Sequence, residues 1–176
     1  SGKHALVTAG PTVEVIDPVR YVSNRSSGKM GYAIAEALRD KGAIVTLISG
    51  PTHLSLPEGI NVVKVESAED MFQAVTERFA KQDIVIKAAA VSDYTPMDIL
   101  EHKLKKQEGG LSVQFKRTKD ILKYLGENKT HQYLVGFAAE SYRRVRHRIV
   151  LFVYDITGDI HFLLRIRKCC GRQYEG

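Results

Sequence analysis

Ser26, Ser27, Gly28 and Gly31 stand directly ahead of an apolar-periodic segment, where the pattern predicts the start of a helix. At a helix start the free backbone amides and the positive end of the helix dipole favour a phosphate, and glycine admits close approach. The cluster therefore reads as a phosphate cradle. It reads equally as a well-capped helix with a glycine for packing, and the motif alone leaves both open. It is not a Walker A loop, because Gly28-Lys29 runs into Met30 and Ser23 occupies the place of that motif's first glycine. A second stretch, Ala88-Ala89-Ala90-Val91-Ser92-Asp93-Tyr94, has side chains small enough for a ligand to lie against the backbone, and Asp93 can accept hydroxyl or amide protons. Small residues at a strand end also serve plain packing. A third, Lys103-Leu104-Lys105-Lys106, puts Lys103 and Lys105 on one face if extended. Such point charges can hold a triphosphate and neutralise a leaving pyrophosphate, although a short lysine run is more often a solvated surface.

Dinucleotide chemistry finds little support. GxGxxG is missing after the first apolar run, Ser49-Gly50 end the second where an acid would clasp a ribose, and no tyrosine has a lysine four residues on.

The elements that must position these residues alternate between short β-branched runs and helical patterns, which predicts βαβ units. Strands are expected at His4–Thr8, Ile44–Ile48, Asn61–Val65, Asp83–Ala88 (a buried one), Leu111–Phe115 and Tyr133–Phe137. Helices are expected over Met30–Lys41, with Met30, Ile34, Ala37 and Leu38 on the apolar face and a stop at Gly42, over Ala68–Phe79, and over Lys119–Leu125. Ser67 and Asp70 have capping-box spacing ahead of the second. The fold class is α/β: an open, mostly parallel Rossmann-like sheet with helices on both faces, which binds ligands at the carboxyl ends of its strands. The loop from Ala9 to Gly31 far exceeds the usual βα connection of about 2–6 residues, which marks it as functional.

At 176 residues and 44% hydrophobic content, the chain suits one domain. No run approaches the roughly 20 apolar residues of a membrane span, and no secretory pattern opens the chain, so a cytoplasmic protein with no membrane partner is expected. Cys169 and Cys170 are adjacent and suggest neither a disulfide framework nor a zinc site. The formal charge of +6 is concentrated at the end: residues 141–176 carry eight Lys/Arg against three Asp/Glu, and residues 1–140 eighteen against seventeen. A balanced body speaks against nucleic acid as a partner.

Taken together, TAGPTVEVIDPVRYVSNRSSGKMGYAIAEAL, VTLISGPT, AAAVSDYTP, KLKK and VGFAAE closely resemble the phosphopantothenate-cysteine ligases, the C-terminal half of the bifunctional bacterial coenzyme A enzyme. The resemblance covers residues 3–140 in order and spacing. It implies a two-step reaction in which CTP, with Mg2+, activates 4'-phosphopantothenate as an acyl-cytidylate and the amine of L-cysteine then displaces CMP. It further implies that Asn24 holds the acyl intermediate, that Arg20 reaches a substrate across a homodimer interface, and that Lys103 serves nucleotide activation. By the same resemblance Gly10, Ser26, Ser27, Gly28, Gly31, Lys105, Lys106, Asp120, Ile121 and Phe137 line the nucleotide. Ala89 and Asp93 are shared with pantothenate, which Ala90 also contacts, and a decarboxylase flavoprotein domain is a fused or associated partner.

Two departures stand out. Thr118-Lys119 precede Asp120-Ile121-Leu122 where the bacterial family carries asparagine-proline, and the likeness stops near Glu140. The expected organisation is thus a ligase domain over 1–140 and a C-terminal segment over 141–176 that departs from the family. The alternatives are a Rossmann-like nucleotide-binding protein of other chemistry, such as an oxidoreductase, and an inactive dimeric interaction module with a basic tail.

Overall fold

The computed structural model describes residues 2–103, 112–141, 147–154 and 160–167. In chain order the elements are β1 (His4–Ala9), β2 (Val13–Val15), β3 (Tyr21–Ser23), α1 (Lys29–Asp40), β4 (Ile44–Ser49), β5 (Asn61–Lys64) and α2 (Ala68–Phe79), then β6 (Ile84–Lys87), β7 (Tyr94–Pro96), β8 (Phe115–Arg117), α3 (Ile121–Asn128), β9 (Tyr133–Ser141), β10 (His147–Tyr154) and β11 (Ile160–Arg167). The main sheet has seven strands in the order β11-β10-β9-β6-β1-β4-β5. From β9 to β5 every pairing is parallel, while β10 and β11 add an antiparallel meander to the β9 edge. This is the expected α/β class, and the order of its parallel strands is that of the Rossmann fold.

β1 is central and buried on both sides from Ala5 to Ala9, as a strand covered on both faces must be. Its alternation splits the core into two layers. Ala5, Val7 and Ala9 pack with Tyr32 and Ala35 of α1 and with Val45 and Leu47 of β4. Leu6 points the other way, joining Ile48 and Val85 against Met71, Val75 and Phe79 of α2 and Ile121 and Leu125 of α3. Helices thus cover both faces.

α1 ends in a Schellman motif, with Gly42 at φ 82°, its N–H donating to Arg39 O (2.8 Å) and that of Ala43 to Leu38 O (3.0 Å). The buried face of α1 is the expected one in part: Ile34 and Leu38 pack against the core, but Gly31, Tyr32 and Ala35 are its buried residues, while Ala37 and Met30 are exposed. The cause is Gly31, which lets α1 settle so close to β1 that a Cβ there would stand 2.5 Å from Ala9 Cβ. β6 is only partly buried, with Val85 its one buried residue. Of the strand expected at Leu111–Phe115, Leu111 lies outside the described residues and 112–114 form no strand; the strand here is Phe115–Arg117, which pairs antiparallel with Tyr94–Pro96, and α3 starts at Ile121, behind Asp120 as N-cap. Among the described residues no helix is long and apolar enough to cross a membrane.

Candidate functional site

α1 connects β1 to β4 across one face of the sheet, and α2 connects β5 back to β6 across the other. The connections therefore diverge between β1 and β6, and the crevice at their carboxyl ends is the ligand position of an open α/β sheet. Gly10 and Ala88–Asp93 lie there.

Close backbone packing forms the floor. Gly50 N donates to Ala9 O at 3.0 Å, and a Cβ on Gly50 would stand 1.7 Å from the Pro11 carbonyl oxygen. Gly10 and Gly28 have φ of 75° and 76°, where L side chains are strained. A Cβ on either would press on Thr52 Cγ2, at 2.9 and 2.8 Å, so these two glycines and Thr52 form one joint between β1, β4 and α1.

Beyond their ends β1 and β6 remain zipped. Ala89 N donates to Thr8 Oγ1 (3.2 Å), Ala90 N to Gly10 O (2.8 Å), Thr12 N to Ala90 O (3.3 Å) and Ser92 N to Thr12 Oγ1 (2.9 Å). This fixes the Ala88–Asp93 loop against the Gly10–Thr12 loop. Asn24 is brought to the same place, its Nδ2 donating to the carbonyls of Ala90 (3.3 Å) and Val91 (3.1 Å). The amide nitrogen is thus turned to these two carbonyls, and Oδ1 remains as an acceptor.

α1 begins behind Gly28 with no side-chain cap, in contrast to the well-capped alternative. Ser26 Oγ accepts from Gly28 N at 3.3 Å, and Ser27 Oγ stands 3.5 Å from Lys29 N, too long for a strong bond. The first-turn amides thus keep most of their capacity for an anion. Gly31 lies one step inside, against Ala9.

Arg20 sits where the β2–β3 hairpin turns. Buried Asp17 holds that turn, Oδ1 accepting from Val19 N and Arg20 N (both 2.8 Å) and Oδ2 pairing with Arg20 Nη1 (2.9 Å). The guanidinium is oriented by a fixed carboxylate, and the Arg20 side chain is 39% exposed.

The other expected site residues are more dispersed. Asp93 is exposed at the crevice and Phe137 is half-buried on β9, one residue past the Lys87–Gly136 pair. Lys103 is exposed, and Lys105 and Lys106 lie outside the described residues. Asp120 caps α3 through Lys123 N at 3.0 Å, and the Ile121 side chain, 1% exposed, is in the core. Thr8, Thr12, Gly50, Thr52 and Thr118, though they fall in stretches the sequence singles out, were not assigned to the site, because none carries charge. A cavity of about 660 Å³ is lined by Gly50 and Thr52 together with Tyr32, Ser49, Lys64 and Glu66.

Residues 1–148 match the family model described as the DNA/pantothenate metabolism flavoprotein C-terminal domain. The chain is 57% identical over 141 residues to the coenzyme A biosynthesis bifunctional protein CoaBC of Bacillus subtilis (strain 168), matching 80% of this chain and 35% of that protein. It thus spans about a third of that relative's length. Among solved structures, the C-terminal domain of a CoaBC protein superposes with a TM-score of 0.68 at 38% identity, covering 96% of this chain and 90% of the other. A complex of the Cab2 mutant H337A with phosphopantothenate-cysteine gives a TM-score of 0.66 at 15% identity, over 94% and 80% of the two chains, and so shares the fold. The chain belongs to the DNA/pantothenate metabolism flavoprotein C-terminal domain family.

Proposed function

We propose that this chain joins 4'-phosphopantothenate to L-cysteine, driven by CTP, as the ligase part of a bifunctional coenzyme A biosynthesis protein whose other part is a decarboxylase flavoprotein. The name of the relatives supports the pathway. The observation that carries the ligase reading is the anchoring of Asn24 on Ala90 and Val91, which sets a neutral acceptor at the crevice beside the first turn of α1. In the first step a carboxylate oxygen of 4'-phosphopantothenate attacks the α-phosphorus of CTP, forming the acyl-cytidylate and expelling pyrophosphate. In the second, the cysteine nitrogen attacks the acyl carbon, the amide forms, and CMP and a proton leave.

The amides of α1 receive phosphate, and Lys103, with Lys105 and Lys106, meets charge on the leaving pyrophosphate. With its Nδ2 turned to the Ala90 and Val91 carbonyls, Asn24 serves the acyl intermediate, as the resemblance implies, by holding the loop against which it lies. Its Oδ1 is placed to accept an N–H of the incoming amine, while the small Ala89 and Ala90 let the acyl chain lie against the backbone. Among the described residues no cluster of three carboxylate, imidazole or thiol groups gathers to hold a metal. Magnesium fits only as an ion held mainly by phosphate oxygens, with Asp93 the carboxylate at hand, and it supplies neutralisation of their charge.

We further propose a cytoplasmic homodimer. Val19, Tyr21, Met97 and Ile99 are exposed apolar side chains on either side of Arg20, and Leu100 N donates to Ile16 O (3.0 Å), joining the two segments into one surface. A second copy covering it would receive Arg20.

Mass spectrometry of a mixture of the chain with CTP, Mg2+, 4'-phosphopantothenate and cysteine tests the ligase. The amide and CMP are expected in equal amounts. In Asn24→Asp, which cannot donate to the Ala90 and Val91 carbonyls, amide formation should fall by about a hundredfold or more. No amide with either CTP or ATP would refute the proposal.

A further inference from the structure

We propose that Thr118 is a positioning residue for Asp93 in the crevice loop, an inference that rests on the ligase reading for its effect on activity. Thr118 Oγ1 donates to Ser92 O at 2.6 Å, and Thr118 N donates to Asp93 O at 3.0 Å. Ser92 is also held from the opposite side, its N–H donating to Oγ1 of fully buried Thr12 at 2.9 Å. Ser92 is thus gripped between the loop that follows β1 and the residue that follows β8.

The grip continues outward as a ribbon. β7 and β8 pair Tyr94 with Arg117, Thr95 with Lys116 and Pro96 with Phe115, and Met97 N donates to Gln114 O at 2.9 Å. Lys103 lies in the segment between the two arms of this ribbon. The direction in which the ribbon leaves the crevice is set at its root, where residue 118 meets residues 92 and 93.

The next two residues fasten that root to the body. Lys119 Nζ pairs with Glu69 at 2.7 Å and lies 4.6 Å from the centroid of the Phe72 ring, tying the root to α2. Asp120 caps α3. Three successive residues therefore reach the crevice loop, α2 and α3.

The test compares the wild-type chain with Thr118→Val, which keeps the shape and removes the hydroxyl, and Thr118→Ser, which restores it. Amide hydrogen exchange of residues 92–97, read without any substrate, should accelerate about tenfold in Thr118→Val, the size of one neutral hydrogen bond, and return towards wild type in Thr118→Ser. Under the ligase reading, KM for 4'-phosphopantothenate should rise by a similar factor in Thr118→Val, with melting temperature little changed and the serine variant again restoring it. Exchange and KM both within twofold of wild type in Thr118→Val would overturn the inference. A wild-type chain that forms no product counts against the ligase reading alone, and the exchange measurement then still decides whether Thr118 holds the loop.

Discussion

At the scale of single residues, the crevice depends on atoms that are absent. Gly50 has no Cβ, and its place cannot take one, because the Pro11 carbonyl oxygen would be 1.7 Å away and is itself backbone. Gly50→Ala should therefore displace the Gly10–Thr12 loop and destabilise the fold by about 3 kcal/mol, the upper end for overpacking, measured by urea denaturation. A loss under about 1 kcal/mol would show that the two loops part easily, and the close packing would then not define the site. This residue was not legible as a site residue in the sequence, since a glycine at a strand end carries no chemistry of its own. Asn24 was legible, but its pairing with Ala90 and Val91 was not, because 66 and 67 positions separate the partners.

At the scale of elements, α2 shows how completely a helix start can be written in sequence. Ser67 Oγ accepts from Asp70 N (3.1 Å), Ser67 N donates to Asp70 Oδ2 (2.9 Å), and the box predicted from spacing is present. What spacing does not show is Glu14, buried on β2, whose Oε1 takes the next amide, Ala68 N, at 2.9 Å. The Ser67 amide, with the Ser67 hydroxyl and the Glu66 backbone, holds the Asp70 carboxyl below the usual carboxylate range. Because the folded value is the depressed one, this stabilisation is complete above the unfolded value of about 4 and is lost as pH falls through the folded value. Ser67→Ala should cost about 1 kcal/mol at neutral pH, and Asp70→Asn should make the acid limb of melting temperature against pH less steep. An acid limb unchanged in Asp70→Asn would contradict this assignment. The long periodic elements were thus readable, whereas β2, β3, β7 and β8 have three residues each, too few to show a period, and exist through their pairing, β2 with β3 in a hairpin and β7 with β8 across the residues between Pro96 and Phe115. The face of α1 is legible only in part, through Ile34 and Leu38, because a glycine and a tyrosine, neither of which reads as plainly apolar, are buried there beside Ala35.

At the scale of the molecule, the Rossmann order was legible from the alternation of strands and helices, and with it the end of the sheet where ligands bind. The antiparallel β10 and β11 were not, since that stretch breaks the βα rhythm. The surface around Arg20, where Tyr21 is 62% and Ile99 67% exposed, should bury itself in a dimer. Sedimentation velocity is expected to give a dimer for the chain and a shift to monomer for Ile99→Glu; a monomeric wild-type chain would remove that interface and the role of Arg20 across it. The central claim, that the crevice activates a carboxylate with a nucleotide before the amine arrives, is tested most directly by pyrophosphate release from CTP with Mg2+ in the absence of cysteine. A release that requires 4'-phosphopantothenate and falls by about a hundredfold in Lys103→Gln is the predicted result. No release from CTP or ATP, or release that ignores 4'-phosphopantothenate, would contradict it.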